Sequence, residues 1–187
     1  MSTRSTISYL STDDKISTVY CHSDGYLSYN GALLYINYQS PEKVKELISF
    51  GDMSSLDKNI SPKVGEKHGF NYSERAKDVC VFYARDRGGS DVEARVFNSF
   101  EDYKNNNLFE QYNYIYKEKN KTWYLYNTNT NKMQLLSGLL KKHKENNSEL
   151  ASALDAEKLA KSVKKEKKVI NTVLKDNVIK ATPKIKI

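Results

Sequence analysis

The chain has 187 residues, enough for one ordinary domain with an appendage, and it is polar and rich in aromatics, with 14 Tyr, 6 Phe and 1 Trp. Its formal charge of +7 is unevenly placed: basic and acidic residues cancel at 17 each over residues 1–138, whereas residues 139–187 hold 13 Lys and 6 acids, so the excess belongs to the tail and says nothing about the fold of the body. The longest apolar runs, such as LLYI at 33–36, are far too short to cross a bilayer, and MSTRSTISYL lacks the apolar core of a secretory signal, which argues against membrane insertion and export.

Along the chain, TISYLS and ISTVYCH alternate around the Asp-rich turn TDDK and read as a β-hairpin, with Ile7 and Tyr9 on one face of the first strand and Ile16, Thr18 and Tyr20 on one face of the second. ALLYINYQ reads as a helix starting near Asn30, a good N-cap residue. SPEKVKELISFGD carries the clearest helix signal: Ser40 to cap it, Pro41 in the first turn, Val44, Leu47 and Ile48 on one face, and Gly51 to end it. Residues 52–77 read as a polar connection. DVCVFYARD and VEARVFN then read as strands of a second hairpin about RGGSD, and Ser99 opens a short helix, SFEDYKNNN. EQYNYIYKE and TWYLYNT form a third unit, with Tyr112, Tyr114 and Tyr116 on one face of the first strand and Tyr124 and Tyr126 on one face of the second.

From about Ser148 the composition turns to Ala, Lys, Glu and Leu. There Leu150, Leu154, Leu159, Val163, Ile170, Val173 and Leu174 trace a rough helical stripe that Pro183 stops. The pattern as a whole predicts an α+β domain over 1–138, with a mainly antiparallel sheet of successive hairpins and two or three packed helices, followed by a Lys-rich helical tail over 139–187.

Five stretches carry candidate chemistry. In YCHSDGY, Cys21 and His22 are neighbours and point to opposite faces of a strand, a poor arrangement for activating a thiolate. His22 with Asp24 would share a face as an acid/base pair or a polar anchor, but a plain turn at Asp24-Gly25 weighs more. In YARDRGG, Arg85 and Arg87 lie two apart at a strand end and would project together as a phosphate clamp beside two glycines, although a hairpin turn with charged shoulders is the weightier reading. Arg4, flanked by hydroxyl residues, is a further anion contact, with Tyr26 and Tyr29 as aromatic anchors. The tyrosine ladder reads as sheet packing ahead of base stacking, and the Lys-rich tail as a solvated helix ahead of a weak, non-specific nucleic-acid contact.

Cys21 and Cys80 sit in strand-like runs and read as small buried hydrophobes. With no C-x-x-C, H-x-x-x-H, P-loop or nucleophile-elbow pattern, no metal, cofactor or named reaction is expected.

TRSTI, VYCHSDGY, NG and GDMSSL in the first third, and FYARDRGG later, resemble a family of small uncharacterised proteins encoded by tailed bacteriophages. The resemblance covers about residues 2–100 and continues less clearly to about 127; Ser23 departs from it, standing where the family pattern holds Trp. It implies a phage origin, a host-cytoplasmic location and an accessory role, and it transfers no reaction or catalytic residue.

Two functions follow as expectations. The favoured one is a non-catalytic module that binds a host protein or a nucleotide-like, phosphate-bearing ligand through Arg4, His22, Asp24, Tyr26, Arg85 and Arg87. The alternative is an enzyme acting on a nucleotide or phosphodiester, with His22 as acid/base, Asp24 orienting it and the two arginines stabilising charge.

Overall fold

The computed structural model describes residues 2–156, 158, 159 and 162, which divide into two compact units between His143 and Lys144. The first is an α+β unit around an eight-stranded, mostly antiparallel mixed sheet. The strands are β1 (Ser5–Leu10), β2 (Ile16–Cys21), β3 (Met53–Ser55), β4 (Val81–Phe82), β5 (Arg95–Phe97), β6 (Tyr112–Lys117), β7 (Thr122–Asn127) and β8 (Lys132–Leu135). They run in the order β4-β3-β2-β1-β6-β7-β8, with β5 beside the first half of β2.

The two long hairpins form where the alternation places them. Ser5 pairs with Cys21 and Leu10 with Ile16 across a turn in which Asp14 takes φ +67°, while Tyr114 pairs with Leu125 and Lys117 with Thr122. What joins them is a parallel pairing of β1 with β6, in register from Ser5↔Tyr112 to Leu10↔Lys117. This makes β1 a central strand, buried from Ser5 to Tyr9. Its hydroxyl side chains find partners inside: Thr6 Oγ1 donates to Asn113 Oδ1 at 2.9 Å, and Ser8 Oγ donates to Thr18 Oγ1 at 2.7 Å.

The register sorts the aromatics onto two faces. Ile7, Val19, Tyr114, Tyr116 and Trp123 share one face. Over it lie α1 (Ala32–Asn37), α2 (Pro41–Ser49) and α5 (Leu136–Leu140), and the Tyr116 hydroxyl and Trp123 indole donate to the carbonyls of Gln39 and Tyr38 at 2.7 and 2.6 Å. On the opposite face Ile16, Ile115 and Tyr126 join Phe97 and Tyr103 beneath α4 (Phe100–Asn106). Tyr114 and Tyr116 are fully buried, so these rungs of the tyrosine ladder are core and cannot stack on bases.

α2 follows its signals: Ser40 Oγ accepts from the Lys43 amide, Pro41 is the first helical residue, and Gly51 follows at φ +78°. α4 likewise starts from Ser99, whose Oγ accepts from the Asp102 amide at 3.0 Å.

Two expected elements are corrected. Asn30 does not cap a helix. A π-helical turn, Leu27–Gly31, precedes α1, and the buried Asn30 side chain donates from Nδ2 to Ser5 Oγ, Cys21 Sγ and the Ser23 carbonyl. YARDRGG is not a hairpin. β4 is two residues long, pairs with β3 and turns straight into α3 (Tyr83–Arg87), while β5 pairs with β2. The Asp86 carboxylate accepts from the Phe82 amide at 2.7 Å and fixes the first turn of α3, and Gly88, left-handed at φ +71°, ends it.

In the second unit, Asn147 caps a helix over 148–156, its Oδ1 accepting from the Leu150 amide at 2.9 Å. The expected continuation through Val163, Ile170, Val173 and Leu174 to Pro183 lies outside the described residues.

Candidate cation and aromatic surface

The YCHSDG stretch ends β2 and stitches the residues before β1 onto the sheet. The His22 and Ser23 amides donate to the carbonyls of Met53 and Ser54, Ser2 Oγ donates to the His22 carbonyl, and the Gly25 amide donates to the Thr3 carbonyl at 2.8 Å. Asp24 holds the turn at φ +53°. Gly25 has a steric reason to be glycine: a Cβ there would sit 2.7 Å from the carbonyl carbon and oxygen of Arg4.

The imidazole of His22 is held by a phenol, with Nδ1 2.8 Å from Tyr20 Oη. Burial, ahead of an opposing pull from Arg4, pushes the Tyr20 hydroxyl above the ordinary tyrosine value. The described partner of the His22 ring is therefore Tyr20, while burial, with Asp24 adding to it, pushes the Tyr26 hydroxyl above the ordinary tyrosine value. Arg4, Tyr20 and His22 therefore occupy one corner of the sheet, with Tyr26 and Tyr29 in ring contact at 6.1 Å just beyond it.

Arg85 and Arg87 lie on α3, which continues β4 two strands across from β2, with Asp52 bonded both to the Tyr20 amide and to the Tyr83 amide at the start of α3. The geometry corrects the picture of two arginines projecting together from a strand end. Arg85 turns inward: Nε donates to Asp86 Oδ1 at 2.6 Å, one terminal nitrogen to the Ile60 carbonyl at 2.7 Å, and the other to the Cys80 carbonyl at 2.6 Å and Asp86 Oδ2 at 2.9 Å. Its guanidinium also lies over the Phe50 and Phe82 rings, 5.5 and 5.0 Å from their centroids. Four of the five N–H groups of the fork are thus used in holding the chain.

Asp86 is the hub of that arrangement. Besides Arg85 and the Phe82 amide, it faces His68, whose Nε2 is 3.4 Å from Oδ2, with both side chains 3 % exposed. His68 Nδ1 accepts from the Ala76 amide at 3.0 Å, so in the neutral ring the proton resides on Nε2, toward the carboxylate. Burial alone would raise the Asp86 carboxyl, but hydrogen bonds from Arg85 and the Phe82 amide and the charge of Arg85 outweigh it and hold the group below the usual carboxylate range.

Arg87 turns outward. Its guanidinium lies over the Phe70 ring at 5.2 Å, and Arg75 lies over the same ring at 5.8 Å and over Tyr72 at 6.0 Å. Arg75 is aimed by its Nε, which donates to the Phe70 carbonyl at 3.0 Å, and Phe70 is backed by Tyr83 at 5.9 Å. Tyr72 is 90 % exposed. Arg75 also lines an open hollow of about 710 Å³ together with Lys67, His68, Ser73, Glu74 and Lys77. Lys67, Arg75 and Lys77 share the lining of this hollow with Glu66 and Glu74.

Arg87 was legible in the sequence, but its companion was not. The pair that converges is Arg75 with Arg87, brought together by a long loop that the polar composition of 52–77 left featureless. The one local signal was FNYSER, two aromatics and an arginine inside an otherwise polar connection.

Cys21 and Cys80 are free and fully buried. Among the described residues no group of three or more His, Cys, Asp or Glu is placed to hold a metal ion, and no helix is long and apolar enough to cross a membrane. Comparison of the chain with family models, with curated proteins and with solved structures found no match.

Proposed function

We propose that this α+β protein is a non-catalytic binding module for a phosphate-bearing, nucleotide-like ligand, and that it acts as a phage accessory protein in the host cytoplasm. The carrying observation is the convergence of Arg75 and Arg87 on the Phe70 ring, with Lys67 and Lys77 nearby. Guanidiniums present planar forks of donors that match phosphate oxygens, and the exposed Tyr72 ring beside Arg75 offers a surface to a base. A host protein is the less favoured partner, because this surface joins separate rings to cations and presents no broad apolar face. The phage setting rests on the TRSTI, VYCHSDGY and FYARDRGG resemblance.

Isothermal titration of the full-length protein with ADP and with pyrophosphate at low salt tests this reading. Binding in the micromolar range is expected, weakened at least about tenfold when Arg75 and Arg87 are both changed to Ala, since each removed charge-assisted contact is worth about 1.5–3 kcal/mol. Absence of binding at micromolar concentrations, or a double variant that binds as the parent does, overturns it.

A further inference from the structure

Resting on the phosphate-binding reading of the same surface, we infer that its ligand is a single-stranded polynucleotide, which stacks a base on the exposed Tyr72 ring while Lys67, Arg75, Lys77 and Arg87 hold the neighbouring phosphates.

Three features separate a strand from a single nucleotide. The cations form a series beside one exposed ring, because Arg75 lies over both Tyr72 and Phe70 and Arg87 lies over Phe70 from its own element, so a strand stacked on Tyr72 would meet more than one of them. The adjoining hollow is open and lined by charged and polar side chains, whereas a site for one nucleotide encloses its base between apolar walls. Tyr72 keeps 90 % of its surface in water at the tip of a short 3₁₀ turn, Tyr72–Glu74. The Arg75 guanidinium lies over this ring, and the rest of its surface faces water, where a stacked base would give it a partner.

A duplex fits less well. Its bases already stack on one another, and the Tyr72 ring would reach them only by unstacking the helix. A carboxylate polymer would satisfy the cations but leave Tyr72 in water.

The loop is also held ready. Arg85 fastens Ile60, and His68 is lodged against Asp86 while receiving the Ala76 amide, so both ends of the segment bearing Phe70, Tyr72 and Arg75 are anchored to α3 or to one another. Binding then costs less ordering of the chain.

Fluorescence anisotropy with the full-length protein distinguishes the readings, using as probes a labelled oligothymidylate of about 20 nucleotides and a labelled inorganic polyphosphate. Tyr72→Ala and the Arg75→Ala/Arg87→Ala pair are compared with the parent, with Trp123 emission reporting that each variant is folded. The expected result is a loss of about tenfold for oligothymidylate in Tyr72→Ala with polyphosphate unchanged, and weakening of both probes in the arginine variant. If Tyr72→Ala binds oligothymidylate as the parent does while the arginine variant weakens both probes, the polynucleotide inference falls and the phosphate reading stands. If the arginine variant binds both probes unchanged, the phosphate reading falls as well.

Discussion

Asp86 and His68 come from different parts of the chain, yet Oδ2 of one stands 3.4 Å from Nε2 of the other, and both side chains are almost wholly buried. Around this pair the three residues Arg85, Asp86 and Arg87 divide the work: Arg85 fastens Ile60 and Cys80, Asp86 gathers Arg85, the Phe82 amide and His68, and Arg87 reaches the surface. A strand would have sent both arginines the same way. The short helix separates them.

Asp86→Asn removes the charge that Arg85 and His68 face, and a buried charge left without its partner destabilises by about 3–5 kcal/mol. The native Asp86 carboxyl lies below its unfolded value of about 3.9, so its stabilisation is present above that pH and is lost as pH falls through the native value. Urea midpoints of parent and variant should differ widely at pH 7 and draw together as pH falls below the ordinary carboxylate range; a gap that stays constant as the pH is lowered would refute the assignment.

Gly25→Ala places a methyl 2.7 Å from the Arg4 carbonyl group, where the contact is backbone and cannot rotate away. The expected cost is about 1–3 kcal/mol, through separation of the 22–25 turn from the lead into β1. Amide exchange should accelerate at Gly25, whose N–H bonds the Thr3 carbonyl, while exchange in β7 stays slow.

Burial pushes the Cys21 thiol up to about 12 and the Cys80 thiol up to about 11. Iodoacetamide at pH 8 should label neither in the native protein and both in urea. Because the folded values lie above the unfolded value of about 8.5, the contribution of these thiols to stability is whole below that pH and declines as pH rises through 11 to 12. Rapid native-state alkylation of either cysteine would contradict the packing of β2 and β4.

Trp123 is 3 % exposed, meets Tyr116 at 5.2 Å and donates its indole proton to the Tyr38 carbonyl. Its emission should be blue-shifted and resist acrylamide quenching until the protein unfolds. Trp123→Phe should cost about 1–3 kcal/mol, since it leaves the Tyr38 carbonyl without that donor.

Local chemistry made part of this legible before any coordinates. Period-two alternation gave the strands around Ile7, Val19, Tyr114 and Tyr126, and Ser40-Pro41 with Gly51, like Ser99, marked helix ends that hydrogen bonds confirm. Each of these depends on neighbours within a few residues. VCVFYA favours a strand through Ala84, yet α3 forms there because Asp86 reaches back to the Phe82 amide. What the chain could not announce by itself was any pairing between remote segments: the parallel junction of β1 with β6, the burial of Asn30 under the sheet, Arg85 spent on Ile60 and Cys80, and the meeting of Arg75 with Arg87 at Phe70. Periodicity says which face a side chain takes within its own element. Which other face it meets is decided only when the whole chain packs, because hydrophobic burial is non-directional and many pairings would bury similar area until register, side-chain volume and buried hydrogen bonds select one.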